Sequence, residues 1–116
     1  MQIKEDKQGE VMIVTIDDHL DTAAAPLLEA RLLALIDGGE RKLVIDCAPL
    51  QYVNSAGLKV FLLVAKKLEN SGRIVICALA PSVHMIFEMI GFTRIMQIVG
   101  TREEALRVIA DPPAAA

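Results

Sequence analysis

Short apolar runs rich in β-branched residues alternate along this chain with segments of helical pattern. The run Val11–Ile16 carries no charge, which is typical of a strand covered on both faces. Further strands are predicted over residues 43–46, 73–79 and 94–99. Helical segments between these strands imply parallel pairing through right-handed crossovers. The pattern therefore predicts an α/β fold.

A weaker strand over residues 2–7 precedes the first run, and Gly9 lies where a turn between the two strands would need it. We expect an antiparallel hairpin there. The predicted architecture is a single-layer mixed sheet, mostly parallel with the antiparallel N-terminal hairpin strand, shielded by about four helices. Residues 1–110 form the predicted domain, and residues 111–116 are expected to be a disordered C-terminal tail.

The predicted helices have local start and stop signals. Thr22 is a candidate cap of the first helix, Pro26 is tolerable only in its first turn, and the glycines at 38–39 stop it. The other helices are predicted over residues 55–70, 81–90 and 101–110.

Composition and charge argue against several kinds of partner. The 116 residues carry a formal net charge of -3, and the basic residues are scattered, so a nucleic-acid partner is not expected. No apolar stretch is long enough to cross a bilayer, and residues 4–7 are charged where a secretory signal would be apolar. We expect a soluble, cytoplasmic protein without direct membrane insertion.

The sequence offers little sign of metal, cofactor or catalytic chemistry. Cys47 and Cys77 each end a predicted buried strand, which favours free buried thiols over a disulfide or redox pair. His19 and His84 have no metal-ligand spacing, and the chain has no glycine-rich phosphate-binding motif. Ser55 is not flanked by the Gly-x-Ser-x-Gly motif that surrounds the nucleophile of many serine hydrolases. We therefore predict no metal, no cofactor and no enzymatic activity.

Ser55 stands where a loop meets the predicted second helix, within the stretch Val-Asn-Ser-Ala-Gly-Leu-Lys-Val at residues 53–60. At the first helical position its oxygen would point toward free N–H groups at the positive end of the helix dipole. Helix N-termini of this kind favour the binding of phosphate. Phosphorylation would add roughly two negative charges and three acceptor oxygens, expelling a partner packed there. The alternative is that Ser55 is a simple N-cap.

The second helix has two distinguishable faces. Residues spaced for contact with the sheet are Leu58, Leu62, Ala65 and Leu68. Residues of another face are Lys59, Leu63, Lys66 and Asn70. The apolar Leu63 among polar neighbours indicates either a docking face or an ordinarily wide buried stripe. Met85 and Met89 of the third helix either extend such a face or belong to the core.

The stretch at 53–60 resembles the signature of STAS domains, in particular bacterial anti-sigma factor antagonists, whose usual pattern is Asp-Ser-Ser/Thr/Ala-Gly-Leu at the start of the second helix. Asn54 stands where that family often has aspartate. Other segments are similar to the family's loop into its first helix, its third strand and the end of its third helix, at residues 19–23, 43–46 and 87–92. The resemblance therefore covers nearly the whole chain.

The resemblance implies a regulator of transcription that works by partner switching. In that family the unphosphorylated antagonist binds an anti-sigma factor that is also a serine kinase, which releases the sigma factor. The kinase phosphorylates the antagonist with ATP, and a PP2C-type phosphatase restores it. Ser55 is the implied phosphoacceptor, and Asn54 shapes its loop. The implied partner surface comprises Asn54, Ala56, Gly57, Leu58, Lys59 and Leu63.

An alternative within the same family also remains open. The chain would then be a non-switching STAS subunit of a membrane-associated lipid ABC transport complex, docking onto its ATPase as a structural component. Small-molecule or nucleotide binding at the strand ends has no motif in its favour.

Overall fold

The computed structural model describes residues 1–110, and the predicted tail at residues 111–116 lies outside the described residues. The strands of the described region are β1 (Ile3–Gln8), β2 (Val11–Ile16), β3 (Asp18–Leu20), β4 (Lys42–Asp46), β5 (Leu50–Val53), β6 (Arg73–Cys77) and β7 (Gln97–Val99). Its helices are α1 (Ala25–Asp37), α2 (Ser55–Lys67), α3 (Pro81–Met89) and α4 (Arg102–Ala110), with a short 3-10 helix at Phe92–Arg94.

The main sheet is mixed, with the strand order β1-β2-β4-β6-β7. β1 and β2 pair antiparallel, as the predicted hairpin requires, and the remaining neighbours pair parallel. Gly9 has φ 60° in the hairpin turn, a left-handed conformation that glycine adopts without a Cβ clash. The predicted α/β fold, with its four helices, is therefore confirmed.

Both faces of the main sheet are covered by helices. Successive residues of a strand point to opposite faces, so Val14 of β2 packs with the α1–α3 side whereas Ile13 packs with the α4 side. The buried helix residues of the first side include Leu28, Leu32, Phe61, Val64, Val83 and Phe87. Ala105 and Ile109 of α4 cover the second. This two-sided burial explains the uncharged run Val11–Ile16.

The chain also contains a small second sheet, in which β3 and β5 pair parallel. Neither strand was predicted, because three or four residues are too few to display an alternating pattern. The predicted strand over 94–99 is shorter than expected, since its first residue belongs to the 3-10 helix and pairing begins at Gln97. The small sheet matters for the site because β3 precedes α1 and β5 precedes α2.

The start of α1 differs from the prediction. Asp21, rather than Thr22, caps the turn that precedes this helix: its Oδ1 accepts hydrogen bonds from the backbone N–H groups of Ala23 and Ala24, at 3.1 and 3.0 Å. Pro26 lies in the first turn as expected, where its missing N–H costs no helical hydrogen bond. The Thr22 side chain is therefore free for another contact.

An ion pair fastens α4 to the sheet. Arg102 Nε donates to Oδ2 of the buried Asp46 across 2.8 Å, and Arg102 Nη2 donates to Thr15 Oγ1 across 3.0 Å.

Cys47 and Cys77 are buried free thiols, as predicted. None of the helices within residues 1–110 is long and apolar enough to cross a membrane.

Candidate functional site

Ser55 is the first residue of α2, and its side chain is exposed. Asn54 is the N-cap, with extended backbone angles (φ -113°, ψ -175°), so the interpretation of Ser55 as a simple cap is wrong. The Ser55 hydroxyl makes no hydrogen bond to any of residues 1–110. A hydroxyl in this position is accessible to another macromolecule and has no structural contact to lose.

The Asn54 side chain occupies most of the donors at the start of α2. Its Oδ1 accepts from the N–H groups of Ala56 and Gly57, at 3.1 and 3.2 Å, and its backbone carbonyl accepts from Leu58 at 3.0 Å. The predicted ring of free N–H groups is thus largely filled by the cap itself. The Ser55 N–H is the donor of this first turn that the cap leaves unused, and it lies at the positive end of the helix dipole.

Asn54 also connects the starts of the two helices. Its Nδ2 donates to Thr22 Oγ1 across 3.1 Å, and its backbone N–H donates to the Leu20 carbonyl across 3.2 Å. An ideal Cβ on Gly57 would lie 2.5 Å from Leu20 Cγ, so the first turn of α2 packs directly on the end of β3. These contacts hold the loops before α1 and α2 together.

A shallow groove of about 340 Å³ opens between the first turns of α1 and α2, with Ser55 in its wall. Its other lining residues are Thr22, Ala25, Pro26, Glu29, Ala56, Lys59 and Val60. Pro26 and Glu29 could not be assigned to this groove from the sequence, because the groove forms between two helices that begin thirty residues apart (25 and 55). The charged groups in it are the Glu29 carboxylate and the Lys59 ammonium.

The residues predicted for the partner surface lie at different depths. Lys59 and Leu63 are exposed, whereas Asn54, Ala56 and Leu58 are half-buried. Gly57 is buried against Leu20, so the prediction that it belongs to the partner surface is corrected: its lack of a side chain permits the close packing of α2.

The buried face of α2 is displaced from the predicted one. Its buried residues are Gly57, Val60, Phe61 and Val64, followed by Leu68 at the C-cap. Of the predicted sheet-facing residues, Leu58, Leu62 and Ala65 are only half-buried, since the close approach at Gly57 sets the orientation of the helix. All four residues of the second predicted face, Lys59, Leu63, Lys66 and Asn70, are exposed. Leu63 is 40% exposed and therefore not part of a buried stripe.

The methionines of α3 lie on the surface. Met85 is 60% and Met89 is 78% exposed, so the alternative that they belong to the core is wrong. Val83 and Phe87 face the core instead, which turns the two methionines outward on the same short helix. Ile90 and Ile95 are also exposed nearby in sequence. This apolar surface is more extensive than the sequence pattern indicated.

Comparison with known proteins gives consistent matches across the chain. The family model of the STAS domain matches residues 2–105. The protein described as "Putative anti-sigma factor antagonist BtrV", from Bordetella bronchiseptica, is 42% identical over 106 residues, which cover 90% of this chain and 91% of BtrV.

Solved structures share the fold. An anti-sigma factor antagonist from Mycobacterium paratuberculosis superposes with a TM-score of 0.89 at 23% identity, covering 95% of this chain and 94% of that one. The Bacillus cell fate determinant SpoIIAA, in its phosphorylated form, superposes with a TM-score of 0.74 at 21% identity, covering 93% of this chain and 99% of that one.

Proposed function

The chain belongs to the STAS domain family, and on that premise we propose that it is an anti-sigma factor antagonist switched off by phosphorylation of Ser55. The observation that carries this proposal is the position of Ser55: an exposed hydroxyl at the first residue of α2, in the wall of an open groove. The similarity to BtrV supports the antagonist role. The phosphorylated SpoIIAA structure is consistent with a phosphate on this fold.

The proposed reaction makes this chain a substrate and not an enzyme. An anti-sigma factor with serine kinase activity transfers the γ-phosphoryl group of ATP to Ser55 Oγ, the hydroxyl proton is released, and ADP leaves. A PP2C-type phosphatase hydrolyses the phosphate ester, which returns the serine and releases inorganic phosphate. Both reactions take place in the cytoplasm in this proposal, where ATP is available.

The same site explains how phosphorylation would control binding. The proposed partner surface consists of Asn54, Ala56, Leu58, Lys59 and Leu63 around the groove. Unmodified Ser55 is small and neutral, so a partner can pack over it. The phosphate adds roughly two negative charges to that contact, and a partner that buries them must desolvate them. Because the Asn54 cap remains, the change acts on the complex and leaves the fold intact.

Incubation with the cognate kinase and ATP, followed by mass spectrometry, tests the modification. We expect one phosphate, on Ser55. Ser82 is a matched internal control, since it is also an exposed serine in the first turn of a helix. Label on Ser82 or elsewhere, with none on Ser55, would contradict the proposal.

Partner affinity tests the consequence of the modification. Ser55→Ala should bind the anti-sigma factor as the unmodified protein does, whereas Ser55→Asp should bind at least tenfold more weakly, which is about 1.4 kcal/mol. Ser82→Asp introduces the same charge at another helix start and should leave the affinity unchanged. Equal affinities of Ser55→Ala and Ser55→Asp would show that charge at this position does not control binding.

A further inference from the structure

Lys59 lies one helical turn beyond Ser55 and lines the same groove. Residues four apart on a helix are neighbours, with Cβ atoms about 6 Å apart, and a lysine side chain easily spans that distance. The Lys59 ammonium is exposed and makes no ion pair within residues 1–110. A cation without a partner therefore stands beside the proposed phosphoacceptor.

The other charges around the groove are acidic. Glu29 of α1 lines it on the opposite wall, and the Asp21 carboxylate is engaged with the backbone N–H groups of Ala23 and Ala24 at the start of α1. Neither attracts a phosphate. The neutral Thr22 hydroxyl accepts its hydrogen bond from Asn54. Lys59 is thus the positively charged side chain of the described groove that a phosphate on Ser55 can reach.

The helix cap increases the importance of this lysine. A phosphate at a helix start usually gains several backbone N–H donors, but Asn54 already takes those of Ala56 and Gly57. The Ser55 N–H remains for the phosphate. A neighbouring cationic side chain is therefore the stronger contact that the described groove offers to the phosphate.

We infer that Lys59 is the internal counter-ion of phosphorylated Ser55. The inference rests on the proposed function and adds a second step to its switch. In the unmodified protein Lys59 is available to an acidic group of the partner. In the phosphorylated protein the phosphate engages the ammonium, so the surface loses a cation at the same time as it gains an anion.

The test uses protein with phosphoserine incorporated at position 55 during translation, so that no kinase is needed. The second ionisation of the phosphate, near pH 6, is followed by phosphorus-31 NMR. Lys59→Gln should raise this pKa by about 0.3 unit, the size expected for an exposed pair at this spacing. Lys59→Arg should restore the unsubstituted value. Glu29→Gln should lower the pKa, because it removes a negative charge from the groove.

Lys66→Gln is the matched control. Lys66 is exposed on the same helix and eleven residues beyond Ser55, which places it on nearly the same face but about 16 Å away, beyond the Debye length at physiological salt. Its substitution should leave the phosphate pKa unchanged. An equal pKa in the unsubstituted protein and Lys59→Gln would overturn the inference. Absence of kinase labelling at Ser55 would reject the proposed function instead, so the two failures are distinguishable.

Discussion

The side-chain amide of Asn54 donates a hydrogen bond to the Thr22 hydroxyl across 3.1 Å, although the two residues are 32 positions apart. The same side chain accepts from the N–H groups of Ala56 and Gly57 through Oδ1. One residue therefore caps α2 and holds the loop before α1. Aspartate, which the family often has at this position, keeps the acceptor but has no N–H donor for Thr22.

Replacement of Asn54 should show how much its side-chain contacts contribute to stability. Asn54→Ala removes the cap and should lower the free energy of unfolding by about 1 kcal/mol in urea denaturation. Asn54→Asp keeps the acceptor at the positive end of the helix, and the Thr22 hydroxyl can rotate to donate, so stability should change by less than about 0.5 kcal/mol. Asn70→Ala, at an exposed position after α2, is the control and should be neutral. A neutral Asn54→Ala would contradict the capping assignment.

Gly57→Ala should destabilise the protein even though alanine is the better helix former. The added Cβ would lie 2.5 Å from Leu20 Cγ and 2.9 Å from the Leu20 carbonyl oxygen, so α2 has to move away from β3. We expect a net loss of about 1 to 3 kcal/mol in the free energy of unfolding, despite a propensity gain of about 1 kcal/mol. Gly100→Ala is the matched control, since its Cβ would meet its nearest atom, Glu104 Oε2, only at 3.7 Å. Equal stability of the two variants would exclude close packing at Gly57.

The two buried thiols should make stability decline at alkaline pH. Burial raises the pKa of the Cys77 thiol from 9.0 to about 12, with the Asp46 carboxylate acting in the same direction and Arg102 against it. Burial also raises the pKa of Cys47 well above its ordinary value, and repulsion from Cys77 and Asp46 adds to the effect. Above pH 9 the unfolded chain therefore loses protons that the folded chain keeps, and the free energy of unfolding falls as pH rises.

The expected loss is roughly 1 kcal/mol per thiol between pH 8 and pH 10, measured by urea denaturation at each pH. The Cys47→Ala/Cys77→Ala double variant is the control, because it keeps every other titrating group. The free energy of unfolding of this variant should not show the decline caused by the thiols. The comparison uses the change between pH 8 and pH 10, so it holds whatever the stability of the variant at pH 8. The same pH dependence in both proteins would show that the thiols ionise equally in the folded and unfolded chains.

The parts of the fold that local patterns specify could be predicted from the sequence. Val11–Ile16 is apolar apart from Thr15 because helices cover both faces of β2, and that burial is visible in the composition of the run itself. β3 and β5 could not be predicted, since their pairing depends on each other and neither is long enough to show a period. The fold class can therefore be predicted from the sequence, whereas the small sheet of β3 and β5 beside the site cannot.

The candidate site was predictable in position but not in detail. Ser55 at a helix start followed from the junction between loop and helix, whereas the hydrogen bond from Asn54 to Thr22 depends on a distant segment of the chain. The buried face of α2 was displaced because its orientation is set by the contact between Gly57 and Leu20. Spacing along one helix identifies residues that share a face, but the neighbour that the helix meets decides which face is buried.

Leu63 provides the sharpest test of the proposed partner surface on α2. It lies two turns beyond Ser55 and one beyond Lys59, and its 40% exposure means that much of an apolar side chain faces solvent in the free protein. If the anti-sigma factor covers this face, Leu63→Lys places a charge in an apolar contact and should weaken the complex roughly tenfold in a calorimetric titration.

The free energy of unfolding of Leu63→Lys should change by less than about 0.5 kcal/mol, since the position is on the surface. Leu63→Met preserves size and hydrophobicity, so it should bind as the unsubstituted protein does. Unchanged affinity for Leu63→Lys would remove Leu63 from the partner surface and confine the proposed contact to the groove around Ser55.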